Sequence, residues 1–228
     1  AFDCGTQSVT RGPGLEGQWE LSWNHGDHRL VFAAPSYAFQ IDDTGRLTDA
    51  GRAEKAVLLA EALLAVQGGG KWLCPVIQLA EWSEGGIRLI CEAQDGLLID
   101  GDDPFGAGKL AGFALEGVTN GAKLTGVEVD KADAKVVVLK CSKRPEGEVF
   151  VTYAHAAAPG DGPYPANRGA LRGDFGAGAL RRWALPARLK LTGGWWCSTQ
   201  EASRTTTSVS SGWMTWSTSS PGAIPSAS

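Results

Sequence analysis

The feature that most constrains the fold is an alternation of apolar and polar residues that begins after residue 70. A period of two is typical of half-buried strands, and clusters of Gly, Pro, Asn and Asp between the runs indicate turns. The runs lie at Val76–Glu81, Ile87–Glu92, Leu97–Asp100, Gly112–Leu115, Leu124–Val129, Lys135–Cys141 and Glu148–Ala154. Seven short strands separated by such turns predict an antiparallel β-sandwich.

One segment before these strands has a helical period instead. Thr48 offers an N-cap, Asp49 complements the helix dipole, and three glycines from residue 68 end the pattern. The apolar residues recur every three or four positions, at Ala53, Ala56, Val57, Ala60, Leu63 and Leu64. The segment therefore predicts an amphipathic helix over Gly51–Gln67, and an apolar stripe of this kind ordinarily faces a core.

The chain after residue 158 has a different composition. Gly, Pro and Arg dominate Pro159–Leu191, which predicts an extended arm rather than a packed element. Ser, Thr and Trp dominate Thr192–Ser228, which fits either a flexible linker or a strand-forming association segment. The expected fold class is thus mainly β (α+β), with one long amphipathic helix, an antiparallel β-sandwich and an extended C-terminal arm.

Charge and hydropathy limit the classes of partner. The formal net charge is -4, so we expect neither nucleic acid nor an anionic membrane surface as a partner. No run of 18 apolar residues predicts a transmembrane helix, and the first residues lack the pattern of a signal peptide. The chain begins with Ala1 rather than Met, which fits either processing or a fragment of a longer product.

Motifs for catalysis, metals or cofactors are weak in this sequence. The five cysteines form no C-x-x-C pair, and no Gly-x-Ser-x-Gly elbow occurs, so we predict no zinc site, no cofactor and no serine nucleophile of that type. His25 and His28 flank Asp27 and need a third ligand from elsewhere to hold a metal. Two acidic clusters, at residues 42–43 and 100–103, fit either Ca²⁺ binding or, more commonly, solvated turns.

Several segments together resemble a known family. The stretch Asp42–Gly51, between a short apolar strand and the helix, resembles the end of an SGNH-type hydrolase domain, which reads Asp-x-x-His-Leu-Thr-x-x-Gly. Further segments resemble phage tail-associated proteins in which an SGNH esterase domain carries a C-terminal β-sandwich and a closing arm; these are Trp72–Pro75, Gly112–Leu115, Asn167–Gly173 and Arg182–Pro186. The resemblance covers roughly residues 30–190 and implies an SGNH-like remnant at 1–70, a sandwich at 71–158, an arm at 159–191 and a tail at 192–228.

The chain departs from this family at the catalytic positions. In the family, the Asp and the His complete a triad whose Ser lies far upstream. Asp43 matches the Asp, but Arg46 occupies the His position, and a guanidinium stays protonated and cannot act as a general base. Asp43 could pair with Arg46 instead. The resemblance with this change implies no catalytic residue in the chain and no enzyme activity of its own.

The resemblance implies a non-catalytic virion structural protein of a bacteriophage or phage-like particle, made in the host cytoplasm. A tail fibre, spike or decoration role implies other virion subunits, further copies of the chain and host-surface polysaccharide as partners. Aromatic rings stack on sugars, so the candidate glycan-binding residues are Trp82, Tyr153, Tyr164 and Trp183. For each ring the alternative is packing in the core or at a subunit interface.

Two other functions stay open at this point. The chain could be the C-terminal part of an SGNH-type carbohydrate esterase that acts with a separate catalytic segment. It could also be a purely architectural subunit, whose arm and Trp-rich tail hold neighbouring subunits together.

Overall fold

The structure is a computed structural model, and it describes residues 31–155, 164, 167–175 and 180–193. In that part of the chain it contains one α-helix and nine strands in antiparallel sheets, which confirms the predicted mainly-β fold class. A 3-10 turn spans Ser36–Ala38 and the helix α1 spans Asp49–Gln67. The strands β1 to β9 span Val76–Ser83, Gly86–Glu92, Leu97–Ile99, Phe113–Glu116, Leu124–Val129, Val136–Cys141, Phe150–Tyr153, Leu171–Gly173 and Ala187–Lys190.

The strands form three sheets. Strands β1, β2, β6 and β5 make a four-stranded sheet, β4, β7 and β9 a three-stranded one, and β3 pairs with β8. Leu89 and Leu139 from the first sheet pack in the same core as Val151 and Leu189 from the second. This shared core is the arrangement that the alternating pattern predicts, and the first seven strands lie within two residues of their predicted ends.

Two fully buried tyrosines tie the segment before α1 to this core. The hydroxyl of Tyr37 donates to the carbonyl of Ala184 (2.7 Å) and lies 3.0 Å from the hydroxyl of Tyr153. The backbone N–H of Leu171 donates to the Tyr153 oxygen at 3.0 Å. Burial raises the pKa of both phenols, so both stay protonated and the bonds persist at neutral pH. The core therefore crosses the predicted domain boundaries at residues 70 and 158.

The helix α1 packs by a different face from the one that its sequence pattern indicates. Its buried residues are Gly51, Leu58 and Ala62. The predicted apolar stripe lies on the opposite side, where Val57 is 46% exposed and Leu64 is 62% exposed. The physical reason is that small residues allow close approach: a Cβ on Gly51 would lie 2.4 Å from the carbonyl oxygen of Gln40. Because α1 packs through the side that carries Gly51 and Ala62, the apolar side that carries Val57 and Leu64 stays exposed.

The predicted extended arm is corrected by the structure, because much of it is packed. Strands β8 and β9 pair with β3 and β7, and Leu171 is fully buried. Its arginines enter the fold by pairing with carboxylates: Arg182 contacts Asp95 (2.6 Å), and Arg188 contacts Glu116 (3.0 Å). A paired guanidinium tolerates burial, so an Arg-rich and Gly-rich composition did not indicate exposure here.

Some sequence predictions fall outside the described residues. These are the His25–His28 cluster and the nature of the tail after residue 193. Thr192, the first residue of the predicted tail, is described: its carbonyl accepts from the backbone N–H of Trp82 (3.0 Å), so the chain runs beside β1 at this point. Among the described residues, no helix is both long and apolar enough to cross a membrane.

Candidate ligand-binding pocket

A pocket of about 160 Å³ opens beside the first half of α1. It lies between that helix, the 3-10 turn before it, the loop after β3, Tyr164 and the residues 181–183. The lining residues are Ala38, Phe39, Glu54, Leu58, Pro104, Phe105, Tyr164, Arg181 and Trp183. The close approach of α1 to Gln40 places the helix beside the 3-10 turn, and the two together form one side of the pocket.

Phe105 organises the aromatic part of the pocket. Its ring makes edge-to-face contacts with Trp183 (centroids 4.6 Å apart), Tyr164 (5.1 Å) and Tyr37 (5.7 Å). Edge-to-face geometry is favourable because the positive edge of one ring meets the negative face of another. Since Tyr37 belongs to the central core, the same ring joins the pocket to the core and holds its aromatic wall in place.

Asp100 organises the charged part of the pocket. Asp100 follows β3, Arg172 lies in β8, and the pairing of these strands brings the Arg172 Nε within 2.6 Å of the carboxylate. Arg181 Nη1 donates to the same oxygen at 3.0 Å. Burial acts to raise the pKa of Asp100, but the hydrogen bond from Arg172 and the two positive charges outweigh it, so the pKa falls below its usual value. Asp100 stays ionised and fixes Arg181 at the pocket wall.

Three polar groups at the pocket remain available to a ligand. The Arg181 side chain is 25% exposed, and Glu54 of α1 is exposed where it lines the pocket. Within the described residues, the carboxylate of Glu54 and the hydroxyl of Tyr164 form no hydrogen bond or ion pair. The pocket therefore offers a donor, an acceptor and a hydroxyl next to aromatic rings, which is the usual make-up of a small-molecule site.

The four candidate glycan-binding residues lie in three different environments. Tyr164 and Trp183 line the same pocket, while Trp82 lies on β1 and packs, partly buried, on the core. Tyr153 is 0% exposed and its hydroxyl is bonded within the core, so its prediction as a sugar-stacking ring is corrected. Trp183 is 5% exposed, so its ring faces are covered and it supports the pocket wall rather than stacking on a ligand.

The degenerate triad positions lie on an exposed turn. Asp42, not Asp43, organises this turn, because its Oδ1 accepts from the backbone N–H of Thr44 and of Arg46, both at 2.9 Å. The hydrogen bond from the Thr44 side chain is the main cause that lowers the pKa of Asp42. Asp43 and Arg46 are both exposed, and the described residues show no ion pair between them, so the suggested Asp43–Arg46 pair is corrected.

The acidic cluster at residues 100–103 contains a second turn, which Asp103 organises. The carboxylate of Asp103 accepts from the backbone N–H groups of Ala107 and Gly108, both at 2.7 Å. No group of three or more His, Cys, Asp or Glu side chains with the geometry of a metal site occurs among the described residues. The turn interpretation thus has bonds that account for it at Asp42 and Asp103, whereas Asp100 is buried and paired with Arg172 and Arg181, so the solvated-turn interpretation is corrected there.

Of the nine lining residues, sequence reasoning named only Tyr164 and Trp183, and it missed the charged Glu54 and Arg181 and the central ring of Phe105. Glu54 lies within the predicted helix, where a charged residue is ordinary, and Phe105 stands in a turn sequence after Pro104, where an aromatic residue has no periodic pattern around it. Arg181 lies in the segment predicted to be an extended arm. The available signal was the unusual position of a large aromatic ring in a turn, which indicates packing against something outside that turn.

Comparison with known proteins adds little to this geometry. No family model matches the chain, and no curated protein matches it. A solved structure that matches is the N-terminal part of the bacterial S-layer protein SbsC, with 11% sequence identity and a TM-score of 0.31. The match covers 64% of this chain and 29% of that one, so this chain spans less than a third of the S-layer structure. A likeness at this TM-score carries no argument about fold or function.

Proposed function

We propose that this chain is a non-catalytic recognition protein of a bacteriophage or phage-like particle, and that it attaches the particle to host-surface polysaccharide. The observation that carries the proposal is the pocket beside α1, which is lined by the ring of Tyr164, the free carboxylate of Glu54 and the guanidinium of Arg181. Aromatic rings with a few convergent polar groups are what sugar binding needs. The virion setting rests on the family resemblance, which also supports a tail fibre, spike or decoration role.

The non-catalytic part of the proposal rests on the exposed turn. Arg46 stands where the resembling family has its histidine, and a guanidinium does not take up a proton at neutral pH. Asp43 is exposed and has no imidazole at this turn to orient. A triad that lacks its base retains only residual catalysis.

The test measures binding and hydrolysis in the same reactions. The purified chain is mixed with acetylated capsular polysaccharide and lipopolysaccharide from candidate bacterial hosts, and bound protein and released acetate are both recorded. We expect saturable binding without acetate release. Acetate release at enzymatic rates would instead support an esterase, and the absence of binding to every host fraction would overturn the recognition role.

The exposed side of α1 favours a second candidate, an architectural subunit. Ala53, Val57, Ala60 and Leu64 form an apolar stripe on the side of the helix that faces away from the core. A helix with apolar residues on two opposite sides is usually packed against other protein on both sides. If this role holds, Val57→Gln with Leu64→Gln should reduce self-association or binding to other particle proteins in light-scattering measurements, whereas Glu61→Gln on the same helix should not.

A further inference from the structure

We infer that the pocket beside α1 holds one uncharged, ring-sized sugar residue, at an end or side branch of the polysaccharide. This inference rests on the proposed function and adds the class of ligand to it. Three properties of the pocket support it: its volume, its charge balance and the arrangement of its hydrogen-bonding groups.

The volume limits the ligand to a single ring. Pockets for drug-sized ligands span about 300–1,000 Å³. The pocket here is about 160 Å³. Its walls come from the helix, from the ring of Phe105, which packs against Tyr37 of the core, and from the buried Trp183. The rest of a longer chain would have to lie outside the pocket.

The charges around the pocket balance, which favours an uncharged ligand. The charged lining residues are Glu54 and Arg181, which have opposite signs. Behind the wall, Asp100 compensates one of the two guanidinium charges of Arg172 and Arg181. These four groups therefore sum to no net charge. A carboxylate or phosphate on the ligand would gain from Arg181 but would be repelled by Glu54.

The hydrogen-bonding groups match a polyol. A sugar hydroxyl both donates and accepts, so one hydroxyl can donate to the carboxylate of Glu54 while another accepts from Arg181. The Tyr164 hydroxyl can do either, and its ring provides an apolar surface for the C–H groups of the sugar. Phe105 holds this ring in place through an edge-to-face contact, and Phe105 is itself packed edge-to-face against the buried ring of Trp183.

The test is competition for binding to a host polysaccharide that the wild-type chain binds. The competitors are methyl glycosides of neutral hexoses and of N-acetylhexosamines, compared with methyl glycosides of hexuronic acids. The variants are Glu54→Gln and Tyr164→Ala, and the matched control is Glu61→Gln, which removes an exposed glutamate from the same helix outside the pocket. Thermal unfolding checks that each variant is folded.

We expect at least one neutral glycoside to compete and the uronic acids to compete more weakly. Glu54→Gln should weaken binding about tenfold, because a neutral amide oxygen accepts a weaker hydrogen bond from the sugar hydroxyl than a carboxylate does. Tyr164→Ala should weaken it by at least as much, and Glu61→Gln should leave it unchanged. Binding that is unaffected by both pocket variants, stronger competition by uronic acids, or no competition by any neutral glycoside would each overturn the inference while leaving polysaccharide recognition in place. Absence of polysaccharide binding by the wild type would remove the proposed function as well.

Discussion

Tyr153 and Tyr164 are the same residue type in two very different regions of the molecule. Tyr153 lies in the core between the sheets, where its hydroxyl bonds to Tyr37 and Leu171. Tyr164 lies at the pocket beside α1, partly exposed, and its hydroxyl has no partner among the described residues. The first is a structural residue and the second is available to a ligand.

The difference extends to the regions around them. The core between the sheets is closed, and its tyrosines satisfy their own polar atoms and those of the neighbouring backbone. The helix layer, by which we mean α1 and the pocket beside it, leaves a carboxylate, a guanidinium and an apolar stripe open to solvent. This contrast predicts that stability comes mainly from the core and that the proposed recognition uses the helix layer.

The largest expected effect comes from truncating the two tyrosines. Tyr153→Ala should lower the free energy of unfolding by about 3–5 kcal/mol, because it leaves a large cavity and removes a bonded hydroxyl. Tyr164→Ala should lower it by less than about 1 kcal/mol, since that ring is partly exposed. Urea unfolding of both variants checks this, and equal losses would mean that the two regions contribute alike to stability.

Adding a methyl group tests how tightly the core is closed. A Cβ on Gly169 would lie 2.1 Å from the Tyr153 hydroxyl oxygen, so Gly169→Ala must displace the ring or the backbone. We expect a loss of about 3 kcal/mol, the upper part of the usual range for overpacking. Gly101→Ala is the control, because no atom lies within 4 Å of its added Cβ, and it should be close to neutral. Thermal unfolding measures both; a tolerated Gly169→Ala would show that this contact relaxes easily.

The ion pairs of Asp100 with Arg172 and Arg181 should contribute to the free energy of unfolding in a pH-dependent way. Asp100→Asn should lower the unfolding free energy at pH 6 by about 1–2 kcal/mol, less than for a fully buried pair because both guanidiniums are partly exposed. The folded-state pKa of Asp100 is lowered, so its contribution is complete above the unfolded value of about 3.9 and is lost as the pH falls through the folded value. Urea unfolding at several pH values should therefore show the gap between wild type and variant closing below about pH 4. A gap that stays constant with pH would contradict the assignment.

The smallest effect is expected on the outer side of α1. Leu64 is largely exposed, so Leu64→Gln should change the unfolding free energy by less than about 0.5 kcal/mol. Leu58→Ala on the packed side should cost several times more, because it removes buried apolar atoms. If chemical unfolding of dilute protein shows a large loss for Leu64→Gln, this side of the helix is covered in solution.

Much of the fold was predictable from local pattern. The N-cap at Thr48 forms as expected, with its side-chain oxygen accepting from the N–H of Gly51 at 3.1 Å. The first seven strands follow from alternation and turn residues, which depend only on neighbours along the chain. Strands β8 and β9 were missed because each is three or four residues long and lies in an Arg-rich and Gly-rich segment.

The candidate site was only partly predictable. Tyr164 and Trp183 were named from their residue type alone, as were Trp82 and Tyr153, and nothing in the local sequence separates the two pairs. Phe105 and Arg181 are 76 positions apart in the chain numbering, yet both line the pocket, where the loop after β3 and the chain after β8 follow two paired strands. A contact made by distant segments leaves no periodic signal in either of them.

The sequence by itself determined where the helix and most strands form, since propensity, capping and periodicity act over a few residues. It also determined that Arg46 cannot act as a base, because that property belongs to the guanidinium itself. The tertiary structure alone decided which side of α1 is buried, which tyrosine is closed in the core and which charges surround the pocket. These depend on close approach between segments far apart in the chain, such as Gly51 against Gln40 and Gly169 against Tyr153, where the room for a single methyl group decides the packing.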